Sequence, residues 1–263
     1  MKRRWFLNLG LIALLTACSG SSLNGTNESV SLTISAAASL QDAMKAIAPI
    51  YAQDNPNIEI NYNFASSGAL QQQIEQGAPV DVFLSAAPKQ MNALEQKDLL
   101  LPQTRRDLLK NRMVLVVPLA QTKVSEFKDL TKDSVEKVAI GDPDSVPAGM
   151  YGKQVLESLQ LYDSISTKFV FAKDVRQVLS YVETENVAAG LVYATDAATS
   201  DRVEVIATAP EDAHEPIVYP VAAIRDSTHP DAAKAFVEFL ITEDATEIFE
   251  QYGFAAMVTP NDG

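Results

Sequence analysis

The chain has 263 residues with 21 basic and 34 acidic side chains, a formal net charge of −13, 47% hydrophobic and 21% charged residues, one cysteine and two histidines. That length supports one large domain or two smaller ones with true cores, and the mix is globular rather than disordered. The acidic excess disfavours nucleic acid and anionic membrane surfaces as partners, one cysteine excludes an intrachain disulfide or a cysteine zinc cluster, and two histidines leave little for imidazole metal sites.

Lys2, Arg3 and Arg4 precede an apolar run from Trp5 to Leu15. A charged start, a short apolar core and small residues before a cut are the marks of a bacterial export signal. The run falls well short of the ~20 residues that a permanent membrane span needs. Leu15-Thr16-Ala17-Cys18 resembles the lipobox of bacterial lipoproteins, which implies that residues 1–17 are removed and that Cys18 is acylated as the first mature residue. Loss of Lys2, Arg3 and Arg4, with no acid among the removed residues, takes the net charge from −13 to −16. Residues 18–30, small and polar from Ser19 to Asn27, read as a flexible tether.

Strand and helix periods alternate from Ser31 onward. Leu32 to Ala36 reads as a strand, and Leu40, Met44, Ile47 and Tyr51 then share one helical face. Ile58 to Phe64 alternates as a strand, a helix follows from Gly68 to Glu75, Asp81 to Ser85 is a buried strand, and Pro88 opens a helix that reaches Lys97. Met113 to Pro118 is a continuous apolar run, the pattern of a strand buried on both faces. Beyond it come a strand at Lys137–Ile140, a helix at Ala148–Leu159 and a strand at Phe169–Phe171. A helix marked by Val175, Val178, Leu179 and Val182 follows, then strands at Ala188–Tyr193, Val203–Ile206 and Ile217–Ile224. The chain ends in helices with apolar faces at Phe236, Phe239 and Leu240, then at Ile248, Phe249 and Tyr252. Repeated strand–helix–strand units predict an α/β protein with mostly parallel sheets flanked by helices, and the length favours two sheets over one.

Three strand ends run through small residues into helices: Ala36 to Ser39, Ala65 to Gly68, and Val146 to Gly149. A helix start offers unpaired N–H groups and partial positive charge, and small side chains let an anion reach that backbone. Each turn alone also reads as an ordinary cap. Together they favour a polyoxygen ligand beyond the carboxyl ends of the strands. The catalytic motifs of hydrolases, phosphate loops, zincins and dinucleotide folds are missing from the sequence. His214 and His229 read as exposed loop or capping residues, and Asp142, Asp144, Asp174 and Asp196 as solvated caps.

Seven segments in order resemble the molybdate-binding proteins of bacterial ABC importers. They are AAASL at 36–40, FASSGAL at 64–70, IEQGAPVDVFLSA at 74–86, GDPDSVPAGMYGK at 141–153, KDVRQVLSYVE at 173–183, GLVYATDA at 190–197 and EIFEQYGF at 247–254. The resemblance implies a two-lobed periplasmic-binding-protein fold, with lobe I at 30–111 plus 219–263, lobe II at 112–218, and the ligand in the cleft between them. It also implies the ligand set. Ser39 and Ser67 would give hydroxyl and backbone N–H, Ala148 and Val175 backbone N–H groups at helix starts, and Tyr193 its hydroxyl. Pro147 would shape the turn that carries Ala148 without being a ligand. The implied function is a non-enzymatic, extracytoplasmic, lipid-anchored receptor, a monomer without cofactor or cationic metal. It would capture molybdate and tungstate and deliver them to a permease and its ATPase in the inner membrane.

Neutral donors can hold a dianion in an acidic protein if every oxygen is served in a water-poor cleft. A donor-only set disfavours a protonated oxyanion, whose O–H lacks an acceptor, so hydrogen phosphate is rejected, whereas sulfate must be excluded by cavity size. Asp174, beside Val175, must point away and cap its own helix. A receptor for sulfate or for a small carboxylate, the latter using Arg176, is the alternative reading, although Arg176 reads as outward-facing or locally paired. A hydrolase on the same sheet is the distant one. The tail from Ala255 to Gly263 follows the last matched segment and reads as remote from the site.

Overall fold

In the computed structural model of the chain, the described residues are 29–119, 121 and 123–257. The signal segment, Cys18, nearly all of the tether and the end of the tail lie outside them.

The first lobe begins with β1 (Val30–Ala37), a short 3₁₀ turn at Ala38–Leu40, α1 (Gln41–Asp54), β2 (Ile58–Ala65) and α2 (Ser67–Glu75). It continues with β3 (Val82–Leu84), α3 (Pro88–Gln96) and β4 (Arg106–Lys110). The second lobe holds β5 (Met113–Pro118), β6 (Val138–Gly141), α4 (Pro147–Ser158), β7 (Phe169–Ala172), α5 (Val175–Glu183), β8 (Ala189–Tyr193), α6 (Ala194–Ala197) and β9 (Val203–Thr208). The chain then returns to the first lobe as β10 (Val218–Ala223), α7 (Pro230–Phe239), α8 (Glu243–Gln251) and β11 (Ala255–Ala256). One sheet has the strand order β11-β4-β10-β3-β1-β2, the other β7-β6-β8-β5-β9.

The apolar periods explain these elements. All six residues of β5 are buried, and α5 turns Val175, Val178, Leu179 and Val182 into the core on one face. Burial of such a side chain contributes about 1.5–3 kcal/mol, enough to hold a nine-residue helix that would not persist alone.

The two-sheet α/β architecture agrees with the sequence reading, but the sheets are mixed rather than mostly parallel. β1–β2, β1–β3, β6–β7 and β6–β8 pair in parallel, whereas β10 runs antiparallel to β3 and β4, and β5 antiparallel to β8 and β9. The reason lies in how the chain changes lobes. Only Asn111 and Arg112 separate β4 from β5, so β5 enters its sheet straight from the other lobe, with no helical crossover to set it parallel. β10 returns the same way, with Val218 opposite Lys110. The two crossings form an antiparallel pair that joins the lobes.

β4 and β11 were not legible as strands. The tail's first residues add to the sheet edge, Ala255 opposite Lys110 and Ala256 opposite Leu109, and Met257 N–H donates to the Leu108 carbonyl at 2.9 Å. This part of the tail is structural, because the edge of β4 would otherwise leave its backbone unpaired.

Candidate functional site

Sheet register brings the serines together. Ala37 and Ala65, the last residues of β1 and β2, are register partners, so the turns beyond them emerge side by side with Ser39 and Ser67. In the other lobe Gly141 and Ala172 are partners at the ends of β6 and β7, which sets the starts of α4 and α5 next to each other. Tyr193 is the last residue of β8, which neighbours β6. All five sequence-predicted residues therefore stand at or beyond strand carboxyl ends and line one cavity between the lobes, together with Asp174 and a wall of small residues. The cavity measures about 10 Å³, the room of roughly one water-sized sphere.

Each donor is buried. Ser39, Ser67, Ala148, Val175 and Tyr193 are 3%, 0%, 1%, 4% and 1% exposed. Ser67 Oγ accepts the Ala86 N–H at 2.9 Å, which leaves the serine's own proton to donate. Ser39 Oγ lies 3.0 Å from Tyr219 Oη, and Asn111 Nδ2 donates to Tyr219 Oη at 3.2 Å. The amide supplies Tyr219 Oη, so the phenol has its own proton to give Ser39, and a serine that accepts it has its hydroxyl proton to give onward. Ala148 and Val175 occupy first turns of α4 and α5, where N–H groups lack intrahelical acceptors. Pro147 is the first residue of α4 and has no N–H to give. Gly149 lets α4 settle onto its strand, since a Cβ there would stand 2.1 Å from the Gly141 carbonyl oxygen.

Tyr193 Oη is buried without any hydrogen-bond partner. Burial pushes its pKa well above the usual phenol value, with neighbouring Tyr219, Tyr151 and Asp196 adding to the rise, so it stays a donor. A buried hydroxyl left unpaired costs about 1–3 kcal/mol, an arrangement that persists when something else completes it.

The cavity lining contains no lysine or arginine among the described residues. Asp174 is its one carboxylate, and that group caps α5 by accepting the Gln177 N–H at 2.8 Å, as its place in the sequence predicted. Ser66 caps α2 in the same way, accepting from Ala69 N–H at 3.4 Å.

Two expectations need correction. Asp196 is not a solvated cap but fully buried, with Arg176 Nε 2.7 Å from its Oδ1. Burial pushes the Asp196 carboxyl up to about 7, against the pull of Arg176. Arg176 is neither outward-facing nor only locally paired. Its Nη2 reaches Asp42 Oδ2 of α1 at 2.7 Å, across the cleft. Asp42 carried no sequence signal, nor did Asn111. Tyr219 had a faint one: it precedes Pro220 in a strand, and the register shifts between those two residues, a bulge of the kind that re-aims a side chain. His214 packs half-buried against Tyr151, at a ring distance of 5.9 Å, and does not line the cavity. His229 precedes the first residue of α7. Among the described residues no group of three His, Cys, Asp or Glu is placed to hold a metal ion, and no helix is long and apolar enough to cross a membrane.

Two α/β lobes joined by an antiparallel crossing, with converging helix starts and hydroxyls around a small cation-free cavity, define a solute-binding protein. Residues 32–255 match the family described as bacterial extracellular solute-binding protein, and the chain belongs to it. It is 46% identical over 245 residues, 92% of this chain and 94% of the relative, to a Bacillus subtilis protein named "Putative ABC transporter substrate-binding lipoprotein YvgL". It is 39% identical over 263 residues, 97% of this chain and 99% of the relative, to the molybdate-binding protein ModA of Escherichia coli. The fold is similar to that of the periplasmic molybdate-binding protein of Azotobacter vinelandii, with a TM-score of 0.77 and 24% identity over 85% of this chain and 98% of that one.

Proposed function

We propose that this chain is the extracytoplasmic receptor of an ABC importer, and that it captures molybdate, and tungstate too, as the dianion. The observation that carries this reading is the unpartnered Tyr193 hydroxyl, buried at a cavity whose other donors are serine hydroxyls and first-turn amides. Ser39, Ser67, Ala148, Val175 and Tyr193 hold the ion through neutral hydrogen bonds. Bonds to a charged group contribute about 1.5–3 kcal/mol each, so the set supports tight binding after desolvation. No covalent bond forms. The lobes close on the ion, and the closed shape reports occupancy to the permease and its ATPase. The mature protein is a monomer without cofactor, held to the membrane by acylated Cys18 and a tether over 18–30.

Calorimetric titration of the soluble chain 19–263 with molybdate, tungstate, sulfate and phosphate tests the reading, with Ser39→Ala and Ser67→Ala in parallel. One-to-one binding of molybdate and tungstate, weak sulfate, no phosphate and losses of roughly 10–100-fold in both variants are expected. Sulfate bound as tightly as molybdate would move the assignment to a general sulfate-type receptor, and heat from none of the four anions would end it.

A further inference from the structure

Gly68 is the second residue of α2, immediately after Ser67, and its N–H donates to the Ser145 carbonyl at 3.1 Å. Ser145 stands in the loop between β6 and α4, three residues before Ala148. The bond therefore joins the main chains of the two lobes between two of the turns that carry the donors. A Cβ on residue 68 would meet Ser145 O at 2.4 Å, its Cα at 2.9 Å and its carbonyl carbon at 3.0 Å. All three are backbone atoms, so no side-chain rotation relieves the clash. The loop itself is braced, with Ser145 and Val146 N–H both donating to the Asp142 carbonyl at 3.2 and 2.8 Å.

Backbone conformation does not call for glycine at this position. The positive-φ glycines are Gly77 and Gly253, and Gly68 is not among them. In a helix, alanine is the more stable residue by about 1 kcal/mol. The three atoms nearest to such a Cβ all belong to Ser145 of the other lobe, and it is their approach that requires the side chain to be missing.

We infer that Gly68 is a positioning residue for the oxyanion: its bare Cα and its N–H bond to Ser145 set how closely the two donor turns approach, and so how well the cavity fits its ligand. The inference rests on the receptor reading above. A wedge at residue 68 leaves each lobe intact and withholds the fully closed state, so the ligand is served by one lobe at a time and escapes faster.

The test is Gly68→Ala in the soluble chain 19–263, with the exposed Gln72→Ala on the same helix as control. Molybdate affinity of Gly68→Ala should fall roughly 10–100-fold, mainly through faster release in stopped flow, with Gln72→Ala unchanged. A merely structural role would lower the ligand-free Tm; here that Tm is expected to hold or rise while the molybdate-induced rise shrinks. Small-angle scattering should show molybdate contracting the parent but not Gly68→Ala. If the variant does not fold, hydrogen exchange on the parent poses the same question, since the Gly68 amide must be protected with molybdate and exposed without it. Parent-like affinity and release in Gly68→Ala, or equal exchange in both states, overturns the inference and leaves the receptor reading standing. A parent chain that binds neither molybdate nor tungstate overturns both.

Discussion

Ser39 and Tyr219 are 180 positions apart in the chain, and their oxygens lie 3.0 Å apart at the mouth of β1. Asn111, in the first crossing, completes a relay by donating to Tyr219 Oη at 3.2 Å and to Thr195 Oγ1 at 2.9 Å. An amide nitrogen only donates, so Tyr219 Oη accepts from Asn111 and favours giving its own proton to Ser39 Oγ, which frees the serine proton. Ser39 is thereby turned into an oriented donor, and the residue that orients it sits where the lobes join.

Tyr219→Phe removes the relay but keeps the ring, which packs on Tyr193 and Phe254 at centroid distances of 5.8 and 5.4 Å. Molybdate affinity should drop by about 10-fold, the value of one oriented donor, and the ligand-free Tm should fall as well, because Ser39 Oγ and one Asn111 N–H lose their partner. Calorimetry on the variant decides it. Unchanged affinity would mean that Ser39 needs no orientation.

Tyr193→Phe should move stability and affinity in opposite directions. The Tyr193 oxygen is buried with no partner, so its loss relieves an unsatisfied group and raises the ligand-free Tm. On the proposed reading the same oxygen donates to the ligand, so its absence should weaken molybdate binding by roughly 10–100-fold. A purely structural tyrosine would lose stability and keep affinity, so paired melting and titration curves separate the two roles.

The turns around the cavity were legible in the sequence because they belong to local structure. Ser39, Ser67 and Ala148 lie at or near the starts of helices, which short-range patterns of small residues, caps and Pro147 mark, whereas Val175 and Tyr193 entered only through the family resemblance. The seven matched segments then gave those turns a common purpose. What stayed hidden depends on sequence-distant meetings. Asn111 and Tyr219 come together only because the crossings pair, and Asp42 meets Arg176 only because α1 and α5 face each other across the cleft. β4 was missed because Arg106-Asp107-Leu108-Leu109-Lys110 has too few β-branched residues to show a strand period, and its pairing with β10 decides instead. Asp196 misled for a related reason. An aspartate near a helix start reads as a cap, and its burial follows from the packing of α6 under Arg176, which no local pattern encodes.

Asp196 predicts a pH dependence. Its carboxyl is pushed from its ordinary 3.8 up to about 7 by burial. Between those values the native protein holds a proton that the unfolded chain has released, so stability falls as pH rises through the window and levels off above it. Asp196→Asn removes this slope. Urea unfolding at pH 5 and pH 8 should show the parent losing stability relative to the variant at the higher pH, and parallel behaviour of the two chains would contradict the burial argument.

Arg176 joins two carboxylates of very different standing, and its partners should respond differently to removal. Asp42, 34% exposed, forms a pair with it that bridges the lobes at 2.7 Å. A partly exposed pair contributes at most about 1 kcal/mol, and this one forms only when α1 and α5 meet. Asp42→Ala should therefore leave the folded lobes as stable as before and weaken molybdate binding about 2–5-fold, a difference that shrinks as salt is raised. Arg176→Ala instead strands Asp196, which is 0% exposed, without its cation. Orphaning a buried charge costs roughly 3–5 kcal/mol, so this variant should melt well below the parent, and more so at pH 8 than at pH 5 because the stranded carboxyl protonates at the lower pH. Adding Asp196→Leu to Arg176→Ala removes the orphan and should recover much of the lost Tm, while affinity stays reduced because the Asp42 bridge is still absent. If Asp42→Ala were the more destabilising of the two single variants, the buried pair would not be the structural member and the cross-cleft pair would not be the one tied to closure.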